Sequence, residues 1–141
     1  CYINDGMSLL VARKVVRHIT KYVDDVKSAR VLILGATFKE NVSDIRNSKV
    51  ADVVKELQSF SVNVDVHDSY ASSDEVMHEY GFGLTEINGK DYDAVILAVS
   101  HTPYLEMTEQ FFESITKPHA VIYDLKGIFR NKINNRTYWS L

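Results

Sequence analysis

Between Gly35 and Ser48 the chain reads G-A-T-F-K-E-N-V-S-D-I-R-N-S, and the cations Lys39 and Arg46 fall inside that stretch. A short apolar run precedes it and a helical pattern follows. Both cations therefore stand between a strand end and a helix N-terminus, where unsatisfied N–H groups carry about half a positive charge. This combination suits an anion of pyrophosphate size, each charge-assisted hydrogen bond contributing about 1.5–3 kcal/mol. The competing reading is a solvated loop whose Lys39 and Arg46 pair with Glu40 and Asp44, and spacing alone does not choose between them. The stretch is not the G-x-G-x-x-G dinucleotide fingerprint, because Ala36 and Thr37 follow its single glycine. Nor is it a Walker loop, since Lys39 is not adjacent to the helix start. Lys126 follows the last apolar strand pattern and is expected at the same edge. Alone it reads as a surface lysine; its value lies in convergence with Lys39. His101 points to that edge too, where a structural role is the preferred reading over ligand contact. Asp68 ends the second strand, the place of the ribose-binding acid in dinucleotide folds, but without the glycine-rich turn it reads better as a structural turn acid.

Other chemistries find less support. His18, His67, His78, His101 and His119 show no metal-ligand spacing, and the single cysteine, Cys1, adds none. No Ser-His-Asp arrangement stands out, and no cysteine sits in an activating context. A phospho-receiver domain would need clustered acids after the first strand, where this chain has Ala36-Thr37-Phe38-Lys39.

The elements that must position these residues are legible in the hydrophobic pattern. Met7, Leu10, Val11, Val15, Ile19 and Tyr22 follow helical spacing, and Leu9, Ala12, Val16 and Val23 add a second apolar edge. The Met7–Val23 helix is thus apolar around more than half its circumference: one stripe can pack on the domain while the other calls for a partner, unless the whole helix is buried in the domain's own core. R-V-L-I-L-G at Arg30–Gly35 reads as a strand covered on both faces. Val50, Val53, Val54, Leu57 and Phe60 mark a helix, with Asp44, Asn47 and Ser48 as candidate N-caps. Asn63–His67 is a second strand and Ser72–Tyr80 a short helix ended by glycine. A short strand is expected near Leu84–Ile87, then a buried strand at Asp93–Ser100, a helix at Thr108–Thr116, a core strand at Ala120–Asp124 and an edge strand at Thr137–Leu141. Strands alternating with helices predict an α/β fold: a Rossmann-like parallel sheet with helices on both faces, preceded by the end of a long helix. Residues 1–24 are assigned to that helix and 25–141 to the sheet domain. In such sheets the ligand crevice lies beyond the carboxyl ends of the strands. The loops after Gly35, Asp68, Ser100 and Asp124 should therefore share one rim.

Composition agrees with a folded domain and narrows the partners. The chain has 141 residues, 45% of them apolar, with 16 basic and 19 acidic side chains and a net charge of −3. That excludes a disordered tail and argues against nucleic acid, which calls for basic excess. No apolar run approaches a membrane span and no signal-peptide pattern appears, which fits a cytoplasmic location. An opening on Cys1 is unusual for a native chain, and the sequence is read as a piece of a longer protein.

The stretch V-L-I-L-G-A-T-F-K-E-N-V-S-D-I-R-N-S-K-V, Val31 to Val50, strongly resembles the signature of the UDP-glucose/GDP-mannose dehydrogenase family, at the start of its C-terminal UDP-sugar-binding domain. I-N-D-G-M at Ile3–Met7 is similar to the end of the family's central region as it enters the dimerisation helix. V-D-V-H-D at Val64–Asp68 resembles V-x-V-x-D-P, with Ser69 in place of the usual proline. Y-D-L-K-G at Tyr123–Gly127 matches the last core strand and its loop. Relatives usually carry arginine before Ile-Asn-Asp, where this chain has Cys1-Tyr2. I-N-D-G-M and the ending Tyr138-Trp139-Ser140-Leu141 most resemble the branch acting on UDP-N-acetylhexosamines. The resemblance implies that Phe38 and Lys39 lie against the sugar nucleotide, with Lys126 near its diphosphate. It implies that Arg46 faces the NAD pyrophosphate delivered by an N-terminal domain, and that the Met7–Val23 helix forms a homodimer. It also implies a parent enzyme that oxidises the hexose C6 alcohol to a carboxylate in two NAD-dependent steps, through a cysteine other than Cys1. The present chain would then be a binding module without catalytic residues of its own. The alternatives are a freestanding Rossmann-like regulatory or scaffold domain, and an enzyme complete in itself, for which no nucleophile or acid–base pair is found.

Overall fold

The computed structural model describes residues 5–87 and 91–141. The Cys1-Tyr2 departure and the Ile3-Asn4 part of I-N-D-G-M lie outside the described residues. Helix α1 (Asp5–Tyr22) leads through one 3₁₀ turn (Val26–Ser28) into β1 (Arg30–Leu34). There follow α2 (Val50–Ser59), β2 (Asn63–His67), α3 (Ser73–Tyr80), β3 (Tyr92–Leu97), α4 (Thr102–Leu105), α5 (Glu109–Ile115), β4 (Thr116–Asp124) and β5 (Thr137–Ser140). The five strands form one sheet in the order β2-β1-β3-β4-β5, and every pairing is parallel.

Alternation along the strands builds two cores. Val31 and Ile33 of β1, Ala94 and Ile96 of β3, and Val121 and Tyr123 of β4 face α1 and α2. Leu32, Leu34, Val95, Leu97 and Ile122 face the other way, against Tyr104 of α4 and Phe112 and Ile115 of α5. All six residues of β3 are buried. Strands covered on both faces have no use for polar alternation, which is why they read as unbroken apolar runs. Burying each large aliphatic side chain contributes about 1.5–3 kcal/mol.

The chain runs from β1 outward to β2 and then back across β1 to β3. This reversal of winding is the switch point of the sheet, and it opens a crevice between the loops that leave β1 and β3. Gly35 stands there with φ 104° and donates its N–H to His67 O at 2.8 Å.

Several local expectations change. Leu84–Ile87 is not a strand; Thr85 N–H reaches Val66 O at 2.8 Å, and no ladder continues from it among the described residues. The residue preceding α2 is Lys49, in helical conformation and without a side-chain cap. Asp44, Asn47 and Ser48 therefore do not cap that helix: the carboxylate of Asp44 is taken by Arg46, and the buried hydroxyl of Ser48 has no hydrogen-bond partner among the described residues. Ser72 does cap α3, and Thr108 caps α5 by accepting Phe111 N–H at 3.1 Å. β4 begins at Thr116 rather than Ala120, directly after α5.

The two apolar stripes expected on α1 merge into one. Val11, Ala12, Val15, Val16 and Ile19 all enter the same core as α2 and the sheet. Leu9 at 40%, Leu10 at 47% and Tyr22 at 57% remain exposed, although the Tyr22 ring stacks on His119 with centroids 4.9 Å apart.

Candidate functional site

A cleft of about 200 Å³ lies at the switch point. Thr37, Phe38 and Lys39 from the loop after β1 form one wall, and Asn47, Ser48, Lys49 and Val50 at the start of α2 form another. Ala98 and Val99 beyond β3 make the floor, and Lys126 beyond β4 reaches in from the side. Three ammonium-bearing side chains thus line one cleft, and among the described residues no carboxylate does. The N–H groups of the first turn of α2 add to the positive field. Such a place favours an anion over a cation, and the half-exposed ring of Phe38 offers a flat apolar surface beside it.

Two buried aspartates hold the loops that bring these groups together. Asp68, at the end of β2, accepts Tyr70 N–H at 2.8 Å and Ala71 N–H at 2.9 Å on Oδ1. Its Oδ2 accepts Ala36 N–H at 2.7 Å and meets His101 Nε2 at 2.8 Å. Burial alone would raise the Asp68 pKa, yet the hydrogen bonds from His101, Ala36 and Tyr70 outweigh it and hold the carboxyl below the ordinary aspartate value. Asp124, at the end of β4, accepts Lys126 N–H at 3.1 Å and Gly127 N–H at 2.8 Å on Oδ1. Its Oδ2 accepts Phe129 N–H at 2.7 Å and the Tyr138 hydroxyl at 2.6 Å. The hydroxyl of Tyr138 is consequently pushed well above the usual tyrosine range, by burial first and by Asp124 second.

The loop after β1 is closed on itself. Phe38 N–H donates to Asp44 O at 2.7 Å, and Thr37 Oγ1 donates to Lys39 O at 2.8 Å. Asn41 turns with φ 59° and joins Thr102 through two side-chain bonds of 2.9 Å. His101, fully buried, touches Asp68, Thr37 and Asn41. Both Asp68 and His101 are therefore structural, as preferred from sequence.

The structure brings Phe38, Lys39 and Lys126 to one cleft and leaves Arg46 out of it. The Arg46 guanidinium grips Asp44 twice, Nε to Oδ1 at 3.0 Å and Nη2 to Oδ2 at 2.8 Å, and is 83% exposed. That grip holds the Asp44 carboxyl down at about 2. Arg46 borders a separate depression with Asp74, Glu75, His78 and Glu79. Sequence reasoning missed Lys49 and Thr37 as lining residues. The position of Lys49 beside the start of α2 was the available signal, but three candidate caps, Asp44, Asn47 and Ser48, left the first residue of that helix open.

Residues 32–131 match the family model described as the UDP-glucose/GDP-mannose dehydrogenase family, UDP binding domain. A UDP-N-acetyl-D-glucosamine 6-dehydrogenase of Pseudomonas aeruginosa is 41% identical over 127 residues, 88% of this chain and 30% of that protein. One of Salmonella typhi is 40% identical over 127 residues, 89% of this chain and 30% of that protein. Among solved structures, an NDP-N-acetyl-D-galactosaminuronic acid dehydrogenase from Methanosarcina mazei Go1 has the same fold, with a TM-score of 0.78 at 19% identity over 97% of this chain and 29% of that one. The chain spans about 30% of the length of the relatives it matches.

Proposed function

Because the chain belongs to the UDP-glucose/GDP-mannose dehydrogenase family and carries its UDP-binding domain, we propose that the switch-point cleft holds the diphosphate of a UDP-N-acetylhexosamine. The observation that carries this reading is the meeting of Lys39, Lys49 and Lys126 around one cleft without a carboxylate among its described lining residues. In it Lys39 and Lys126 neutralise the phosphates, and Phe38 lies against the nucleotide or sugar. The choice of an N-acetylhexosamine follows the relatives named UDP-N-acetyl-D-glucosamine 6-dehydrogenase.

The whole protein, on this reading, is an NAD-dependent 6-dehydrogenase that oxidises the hexose C6 alcohol to a carboxylate. This chain supplies nucleotide-sugar binding to it. The residues present do not form an NAD site by themselves: no glycine-rich turn follows β1, and Arg46 sits bound to Asp44 beside Asp74, Glu75 and Glu79. Arg46 is assigned to the NAD pyrophosphate only when an N-terminal domain is in place. A second copy of the chain is assigned to the outer side of α1, where Leu9 and Leu10 are exposed.

The test is titration of UDP-N-acetylglucosamine into the chain and its variants at low salt. Lys39→Ala and Lys126→Ala should each weaken binding about tenfold or more, as expected for a lost charge-assisted hydrogen bond. Arg46→Ala should bind as the unsubstituted chain does. Unchanged affinity in Lys39→Ala would remove the assignment.

A further inference from the structure

We infer that His101 is a positioning residue for the ligand-facing loop, locked in one neutral tautomer so that a single ring fixes the backbone on both sides of Lys39 and Glu40. The inference rests on the reading of the cleft as a nucleotide-sugar site, since Phe38 and Lys39 are carried by that loop. Asn41 N lies 2.9 Å from His101 Nδ1. A backbone N–H can only donate, so Nδ1 must present its lone pair and the ring proton must sit on Nε2. Nε2 in turn lies 2.8 Å from Asp68 Oδ2 and 3.2 Å from Thr37 Oγ1. Thr37 spends its own proton on Lys39 O at 2.8 Å, so its oxygen is left to accept from Nε2–H. The bonds run in one direction: Asn41 N–H to His101, His101 to Asp68 and Thr37, Thr37 to the carbonyl of Lys39.

No other arrangement of protons satisfies this set. With the proton on Nδ1, or with both nitrogens protonated, two donors would face each other across 2.9 Å at Asn41. The ring is closed to water, so solvent cannot take over a lost partner. Around it stand Asp68 at the end of β2, the Tyr70 ring at 4.6 Å in the following loop, and the Tyr104 ring at 5.5 Å in α4. His67 lies beyond, its Nδ1 at 2.8 Å from the Tyr104 hydroxyl, and burial pushes its imidazole below the ordinary histidine range. Asn41 itself holds φ 59°, and the bond to His101 with the two to Thr102 is what keeps it there.

Two measurements test this on the full chain. Nitrogen-15 spectra of the imidazole should show Nε2 protonated and Nδ1 bare, with a coupling across the hydrogen bond to the Asn41 amide; a protonated Nδ1 would overturn the tautomer and the inference with it. UDP-N-acetylglucosamine is then titrated into His101→Phe and His101→Asn. Phenylalanine keeps the ring contacts with Tyr70 and Tyr104 but removes both hydrogen-bonding nitrogens, and should weaken binding about tenfold. Asparagine places Oδ1 one bond from Cγ, as Nδ1 is, so it can still accept Asn41 N–H, but it has no atom where Nε2 meets Asp68 and Thr37, and it should recover part of that loss. His101→Phe binding as tightly as the unsubstituted chain would overturn the positioning role while leaving the cleft's ligand intact. Failure of the unsubstituted chain to bind would instead overturn the ligand reading and with it any part for His101 in binding.

Discussion

Asp68 shows how one side chain can set a loop. Four donors converge on its two oxygens, and protonating the carboxyl sets an O–H against one pair of them. Its pKa is held below the ordinary value, so its stabilising contribution is full above the ordinary carboxylate range and disappears as pH falls through the lower, folded value. Asp68→Asn presents an N–H₂ where Ala36 N–H or His101 Nε2–H needs an acceptor, and should cost about 3 kcal/mol near neutral pH. In denaturation followed across pH, the gap between variant and unsubstituted chain should narrow from about pH 4 downward; a gap that stays constant would show that Asp68 does not titrate with folding. Gly35 is the second residue on which the crevice turns. Its φ of 104° is one that only glycine adopts readily, and an added Cβ would come within 2.6 Å of Val99 Cβ and 2.9 Å of Val99 N. Gly35→Ala should therefore destabilise the fold by about 3 kcal/mol, combining the backbone penalty with overpacking against Val99 in the loop beyond β3. Denaturant midpoints measure it.

At the scale of elements, α2 does two jobs with two parts of its length. Its first turn helps wall the cleft, while Val50, Val53, Val54 and Leu57 bury its inner face against α1 and the sheet. Leu57→Ala should cost about 2–5 kcal/mol, the range for an aliphatic side chain removed from a closed core. Leu105→Ala in α4, half-exposed, should cost under about 0.5 kcal/mol, and melting curves of the pair make the comparison. The short helix α4 and the misplaced strand at Leu84–Ile87 share a cause. Four residues give too little periodicity to announce a helix, and a run equally short does not reveal by pattern whether it will pair along the open outer edge of β2. Among the described residues, the outer edge of β2 receives one backbone bond from this segment, Thr85 N–H to Val66 O.

For the whole molecule, the outer side of α1 decides whether one copy is enough. Most of the apolar circumference read from its sequence is consumed by the chain's own core, leaving Leu9 and Leu10 outward beside one another. Sedimentation velocity should show concentration-dependent self-association that Leu10→Lys abolishes; a monomer at high concentration in both would remove the proposed partner. The doubly covered parallel sheet, its five strands and the gathering of the strand-end loops on one rim were legible beforehand, while the further strand expected at Leu84–Ile87 did not form. Hydrophobic period and alternation of elements leave few ways to bury such strands. The motif around Lys39 was legible for the same local reason: its residues are neighbours in sequence. What sequence could not decide was which way Arg46 faces, that Lys49 joins the cleft, and that His101, Asp68, Thr37 and Asn41 form one closed hydrogen-bond set. Those contacts join residues up to 64 positions apart. They follow from strand order and register, which fix where each loop emerges, whereas local patterning fixes only what each segment becomes.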